Sequence, residues 1–125
     1  MIIGVGTDIV SISRIEEALK RFGERFINKV FTDEEAKVCK NKNDRSSFLA
    51  SRFAAKEAVL KAFGTGISNG IGFKDVEVVR EQGKRPGIIL HGKGKETAGS
   101  LGVKNIHLSI SHDASLALAF VVVEG

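Results

Sequence analysis

Tryptophan and tyrosine are absent from this chain of 125 residues, and cysteine, proline and methionine occur once each. Each shortage excludes something. The eight Phe are spread along the chain, so the interleaved aromatic platform of a single-strand nucleic-acid binder is missing. The lone Cys39 cannot close an internal disulfide. It fits a reducing cytosol, and with it a cytoplasmic protein. No Cys/His spacing matches a zinc site. No apolar run reaches roughly 18 residues, so no membrane span is expected. The opening Met1 to Gly4 lacks the basic stretch of a signal peptide. There is no G-x-S-x-G to support a serine hydrolase, and the glycines at 64 and 66 are not followed by the Lys-Ser/Thr of a Walker A loop.

What is present suffices for a packed core. Hydrophobic residues make up 42% of the chain, and the length predicts a single domain, residues 1–125. A domain this small buries a modest share of its surface, so an oligomer interface would help it. Net charge is +4, with much of the basic charge between Arg14 and Lys61. Such a face can receive nucleic acid, an anionic cofactor or an acidic protein, against the plain reading of a solvated surface.

Residues 2 to 10 read as a buried strand in which Gly4 and Gly6 mark a bend or a close backbone approach. Residues 13 to 22 read as a helix opened by a capping box at Ser13 and Glu16, with Ile12, Ile15, Leu19 and Phe22 on one face and Gly23 at its end. Phe26 to Phe31 continue the apolar face. A second capping box, Thr32 and Glu35, opens a helix to about Cys39. The long helix runs from Ser46 or Ser47 to Phe63, rich in alanine, with Gly64 as its C-cap and a loop to Gly72. The second half changes character. Val76 and Val78 alternate with acidic residues as in a half-buried strand, Glu81 to Lys84 form a turn, Gly87 to His91 a short strand, and Lys93 to Leu101 a helix. Ile106 to Ser111 and Leu116 to Val123 alternate as an antiparallel hairpin joined at His112 to Ala114. The class is therefore α+β.

Three features carry chemistry. Asp8 interrupts an apolar strand, so it must cap, pair, or hold a metal. Glu57 and Lys61 stand one helical turn apart and lead into the glycine loop; read plainly they are a routine helix pair. Together with Asp8 they offer two carboxylates and a cation, the material of a divalent-metal and phosphate site. His112, at a tight turn, is either a phosphate contact, a base, or a turn residue bonding backbone. His91 and His107 have no partner that the sequence identifies.

Five segments taken in order resemble the holo-acyl-carrier-protein synthases, the short bacterial 4′-phosphopantetheinyl transferases: Gly4 to Val10, Phe31 to Glu35, Arg52 to Ala58, Lys61 to Gly66 and Leu108 to His112. The resemblance covers nearly the whole chain. It implies that the 4′-phosphopantetheine arm of coenzyme A is moved to a serine of acyl carrier protein, for fatty acid biosynthesis, releasing adenosine 3′,5′-bisphosphate. It implies Mg²⁺ on Asp8 and Glu57, with Glu35 near the metal, either supporting its ligands or orienting water, and Lys61 reaching a phosphate. It lays Gly64, Thr65 and Gly66 along the cofactor, and puts Ser111 and His112 at its nucleotide end, with Arg45, Arg52 and Pro86 as weaker contacts. It also implies a homotrimer with sites between subunits. Because the nucleophile is the carrier's serine, no triad is needed; a carboxylate acting through water and a water on the metal both remain as acceptors of its proton. Arg14, Arg21 and Arg25 would meet the acidic carrier. Two other classes compete: a nucleic-acid-binding module resting on charge alone, and a catalytically idle cofactor binder of the same fold.

Overall fold

The long helix organises the molecule because one side of it is almost bare. In the computed structural model, which describes residues 1–65 and 70–125, this helix is α4, Arg45–Phe63. Asp44 caps it, its side chain accepting from Ser47 N, and Gly64 ends it in the left-handed conformation at φ 78°. Its alanines 54, 58 and 62 are buried. They let strand β1, Ile2–Ser11, approach to backbone distance.

Strand β1 pairs antiparallel with β5, Leu116–Glu124, and β5 with β4, Asn105–His112, giving the order β1-β5-β4. Side chains alternate across this sheet. Its inner face carries Gly4, Gly6, Asp8 and Val10 of β1 opposite Val123, Val121, Ala119 and Ala117 of β5, and those four β5 residues are fully buried. The expectation that the apolar residues of β1 are buried is corrected here. Val5 and Ile9 point to the outer face and are 56% and 58% exposed, because the glycines rather than the branched residues take the helix-facing positions.

Ahead of α4 lie α1, Ile12–Phe22, α2, Glu24–Val30, and α3, Asp33–Lys40. Their apolar faces and the first half of α4 share a second core around Ile15, Ile27, Phe31 and Leu49. The Thr32–Glu35 capping box forms as expected. The one expected at Ser13 does not: α1 begins at Ile12 behind Ser11, with no side-chain cap. Ile12 N instead donates to Ser115 O at 2.9 Å, so a contact from the β4–β5 turn replaces the local cap. After a 3₁₀ turn at Phe73–Asp75, β2, Val76–Val79, pairs with β3, Gly87–Leu90, and α5, Gly92–Leu101, follows. Strand β2 is not half-buried as expected; Glu77 is buried along with Val76 and Val78. Among the described residues no helix is long and apolar enough to cross a membrane.

Candidate active site

Asp8 reaches α4 because of the two glycines before it. Residues two apart share a strand face, so Gly4, Gly6 and Asp8 all face the helix. A Cβ at Gly6 would stand 1.9 Å from Ala58 O, and one at Gly4 would stand 2.1 Å from Ala62 O. Only glycine permits that approach, and it brings Asp8 within reach of the last turns of α4. Lys61 Nζ donates to Asp8 Oδ1 at 2.9 Å and to Thr7 O at 3.0 Å. Asp8, Glu57, Lys61, Arg14 and Phe53 line one groove of about 510 Å³. Burial pushes the Glu57 carboxyl up, the Asp8 charge adds to this, and Lys61 opposes it. Two carboxylates offering oxygen ligands in one open groove suit a hard divalent cation that keeps several waters. No cluster of three or more metal-ligating side chains occurs among the described residues.

Glu35 is not in this groove. It is buried, and its Oε1 accepts from Lys56 Nζ at 2.7 Å and from Thr32 N at 2.9 Å, while Oε2 accepts from Val78 N at 2.9 Å. Its carboxylate is engaged by the capping box and by a buried ion pair rather than by the groove. Lys56, fully buried, also donates to Phe73 O at 2.9 Å and to Val76 O. Burial pulls its ammonium below the usual lysine range, against the attraction of Glu35. Beside this pair, Glu77 accepts from Thr32 Oγ1 at 2.6 Å and His91 Nε2 at 2.9 Å. His107 likewise finds Glu124, at 3.0 Å. Both histidines thus have partners that the sequence left unidentified.

Arg52, Pro86, Ser111 and His112 line a second, larger groove of about 1270 Å³, joined there by Arg80 and Arg85. Arg52 lies over the Phe48 ring with its guanidinium carbon 4.1 Å from the centroid. Its Nε is buried without a hydrogen-bond partner. Burial lowers its pKa, Glu35 opposing and Arg80 reinforcing. With Lys42 the groove has four cations against two carboxylates, Asp44 and Glu81, a balance that favours an anion. Arg45 does not join them. Its Nε donates to Cys39 Sγ and its Nη2 lies 3.5 Å from Glu24, in an exposed pair. Arg21 stacks on Phe22 and Arg25 is exposed, both near but outside the first groove. Gly64 and Thr65 follow α4 directly, and Gly66 lies outside the described residues.

The model of the 4′-phosphopantetheinyl transferase superfamily matches residues 4–121. The chain belongs to that superfamily. A holo-[acyl-carrier-protein] synthase of Alkalilimnicola ehrlichii is 48% identical over 125 residues, covering 99% of this chain and 98% of the relative. That of Koribacter versatilis is 44% identical over 124 residues, covering 99% of each. Among solved structures, the holo-[acyl-carrier-protein] synthase of Neisseria meningitidis superimposes with a TM-score of 0.93 at 36% identity, covering 100% of both chains. The Helicobacter pylori enzyme, in complex with coenzyme A, gives 0.84 at 39%, covering 96% of this chain and 99% of that one.

Within this transferase fold, sequence reasoning missed Lys56, Glu77, Arg80 and Arg85. Lys56 had a signal. It stands seven residues from both Leu49 and Phe63, inside the apolar stripe of α4, where a lysine needs a buried partner. Arg80 and Arg85 flank a turn that is joined to the remaining cations only by the fold.

Proposed function

We propose that the protein transfers 4′-phosphopantetheine from coenzyme A to a serine of apo-acyl carrier protein, releasing adenosine 3′,5′-bisphosphate. The carrying observation is the meeting of Asp8, Glu57 and Lys61 in one open groove of a chain of this superfamily. Asp8 and Glu57 would hold Mg²⁺, which when bound supplies neutralisation of charge on the diphosphate. Lys61 uses two of its three N–H donors on Asp8 and Thr7, and the third is available to a phosphate oxygen. Arg52 and His112, with Ser111 and Pro86 beside them, take the phosphate-bearing nucleotide end. Gly64 and Thr65, directly after α4, lie along the cofactor. The carrier docks at Arg14, on the rim of the first groove, with Arg21 and Arg25 extending the positive surface that speeds encounter.

The chain acts as one domain and assembles as a homotrimer with sites between subunits. Support comes from the outer face of the sheet, where Val5, Ile9, Leu118 and Phe120 are all at least 39% exposed and stand side by side, an apolar patch of the kind that marks an interface. The two grooves share no lining residue, and a neighbouring copy would complete each with the other. The cytoplasmic location rests on the single, buried cysteine, and the place in fatty acid biosynthesis on the carrier substrate.

Mass spectrometry of apo-acyl carrier protein after incubation with the protein, coenzyme A and Mg²⁺ tests the reaction. The expected result is the gain of one phosphopantetheine, dependent on Mg²⁺ and lost in the Asp8→Ala/Glu57→Ala variant. No gain with folded wild-type protein favours the idle binder; gain by the variant removes the metal assignment.

A further inference from the structure

The face of α4 that meets β1 is smooth. There alanines lie on glycines, while Leu49, Val59, Leu60 and Phe63 of the helix are buried in the two cores. Yet Glu57 and Lys61 must turn towards Asp8 to make the groove. One residue before Glu57, Lys56 leaves the helix in another direction and is held at three points. Its ammonium donates to Glu35 Oε1, Phe73 O and Val76 O, which uses every N–H it has. Glu35 is tied in turn to Thr32 N and Val78 N. These contacts join α4 to the start of α3 and to β2, the segment that leads to Arg80 of the second groove. Four residues before Lys56 on the same helix is Arg52, also of the second groove.

We infer that the buried Lys56–Glu35 pair is a positioning device: it fixes the rotation of α4, and so the placement of Glu57 against Asp8 and of Arg52 against Arg80. Neither side chain touches substrate. A fully buried ammonium whose donors are all satisfied has nothing left to offer a phosphate, which separates Lys56 from Lys61 in role. The inference rests on the proposed transferase reading for its kinetic consequence, but not for its metal-binding one.

The test compares wild type with Glu35→Asp, which keeps both charges but shortens the reach by one methylene, and with Glu35→Gln/Lys56→Met, which removes both charges together. Circular dichroism establishes folding. Mn²⁺ affinity is read by electron paramagnetic resonance on the protein alone, and transfer to apo-carrier is followed over a range of Mg²⁺. The expected result is a folded Glu35→Asp protein whose Mn²⁺ dissociation constant rises about tenfold, with transfer lowered by a similar factor at limiting Mg²⁺ and recovering at high Mg²⁺. The double variant, where folded, shifts further in the same direction. A merely structural pair would lower the melting temperature and leave Mn²⁺ affinity in place. Folded Glu35→Asp protein with wild-type Mn²⁺ affinity overturns the inference, whatever the double variant does. Wild-type protein that binds Mn²⁺ but leaves the carrier unmodified would instead overturn the proposed reaction, and the Mn²⁺ titration would still decide the role of the pair.

Discussion

Two lysine–carboxylate pairs hang from the same helix five residues apart, and they differ in almost everything except length. Lys56 and Glu35 meet at 2.7 Å with side chains 0% and 1% exposed; Lys61 and Asp8 meet at 2.9 Å with side chains 50% and 15% exposed. Removing charges from water is costly, and it is sustained only where every donor and acceptor finds a partner. The buried pair meets that demand with backbone groups from three segments. The open pair does not need to, and so keeps valence for a ligand. The same chemistry becomes scaffold in one place and reagent in the other, according to how much of its bonding capacity the fold consumes.

The comparison can be broken from either side. The largest effect is expected for Lys56→Met alone, which strands Glu35 as a buried charge and costs about 3–5 kcal/mol in urea unfolding at neutral pH. A loss below about 1 kcal/mol, the size of an exposed pair, would erase the distinction. Next is Gly6→Ala, whose Cβ would meet Ala58 O at 1.9 Å. It is expected to cost about 3 kcal/mol by overpacking and to move Asp8 away from α4. Unchanged stability with unchanged activity would mean that the close approach is not what builds the groove. Lys61→Met should sit at the opposite pole to Lys56→Met. Its stability should stay within about 1 kcal/mol of wild type, while kcat/KM for transfer falls about a hundredfold; a variant that unfolds but transfers normally when folded would reverse the assignment.

The smallest effect concerns pH. Burial pushes the Glu77 carboxyl up, but the hydrogen bonds from Thr32 and His91 outweigh it, and the folded protein holds the group below its ordinary range. A carboxyl whose pKa is depressed on folding contributes stability above its unfolded pKa and loses it as pH falls through the folded value. His91→Ala removes one of those bonds. It should therefore cost about 1 kcal/mol at neutral pH, with the gap to wild type closing as Glu77 protonates in acid. A gap constant across the titration would show that His91 does not stabilise the Glu77 carboxylate.

Much of this is legible in the sequence. Thr32 and Glu35 capped α3 because a capping box needs only residues three apart. Gly4 and Gly6 mark a bend or a close backbone approach, and it is the approach that the structure shows. The Ser13 capping box failed where a distant backbone carbonyl, Ser115 O, took the helix N–H instead. The partners of Arg45, Glu24 and Cys39, and that of Glu35, Lys56, sit on other helices and were not legible in local pattern.

The sequence by itself determined where helices and strands run, which glycines admit a neighbour, and which residues could carry a metal and a phosphate, since periodicity, capping and turn chemistry act over a few residues. Only the tertiary structure decided which lysine of α4 is buried and which is open, that Glu35 and Glu77 are interior, and that Arg52, Arg80 and Arg85 lie in one groove. Burial and the saturation of hydrogen bonds are set by partners tens of residues away, and no local pattern specifies them.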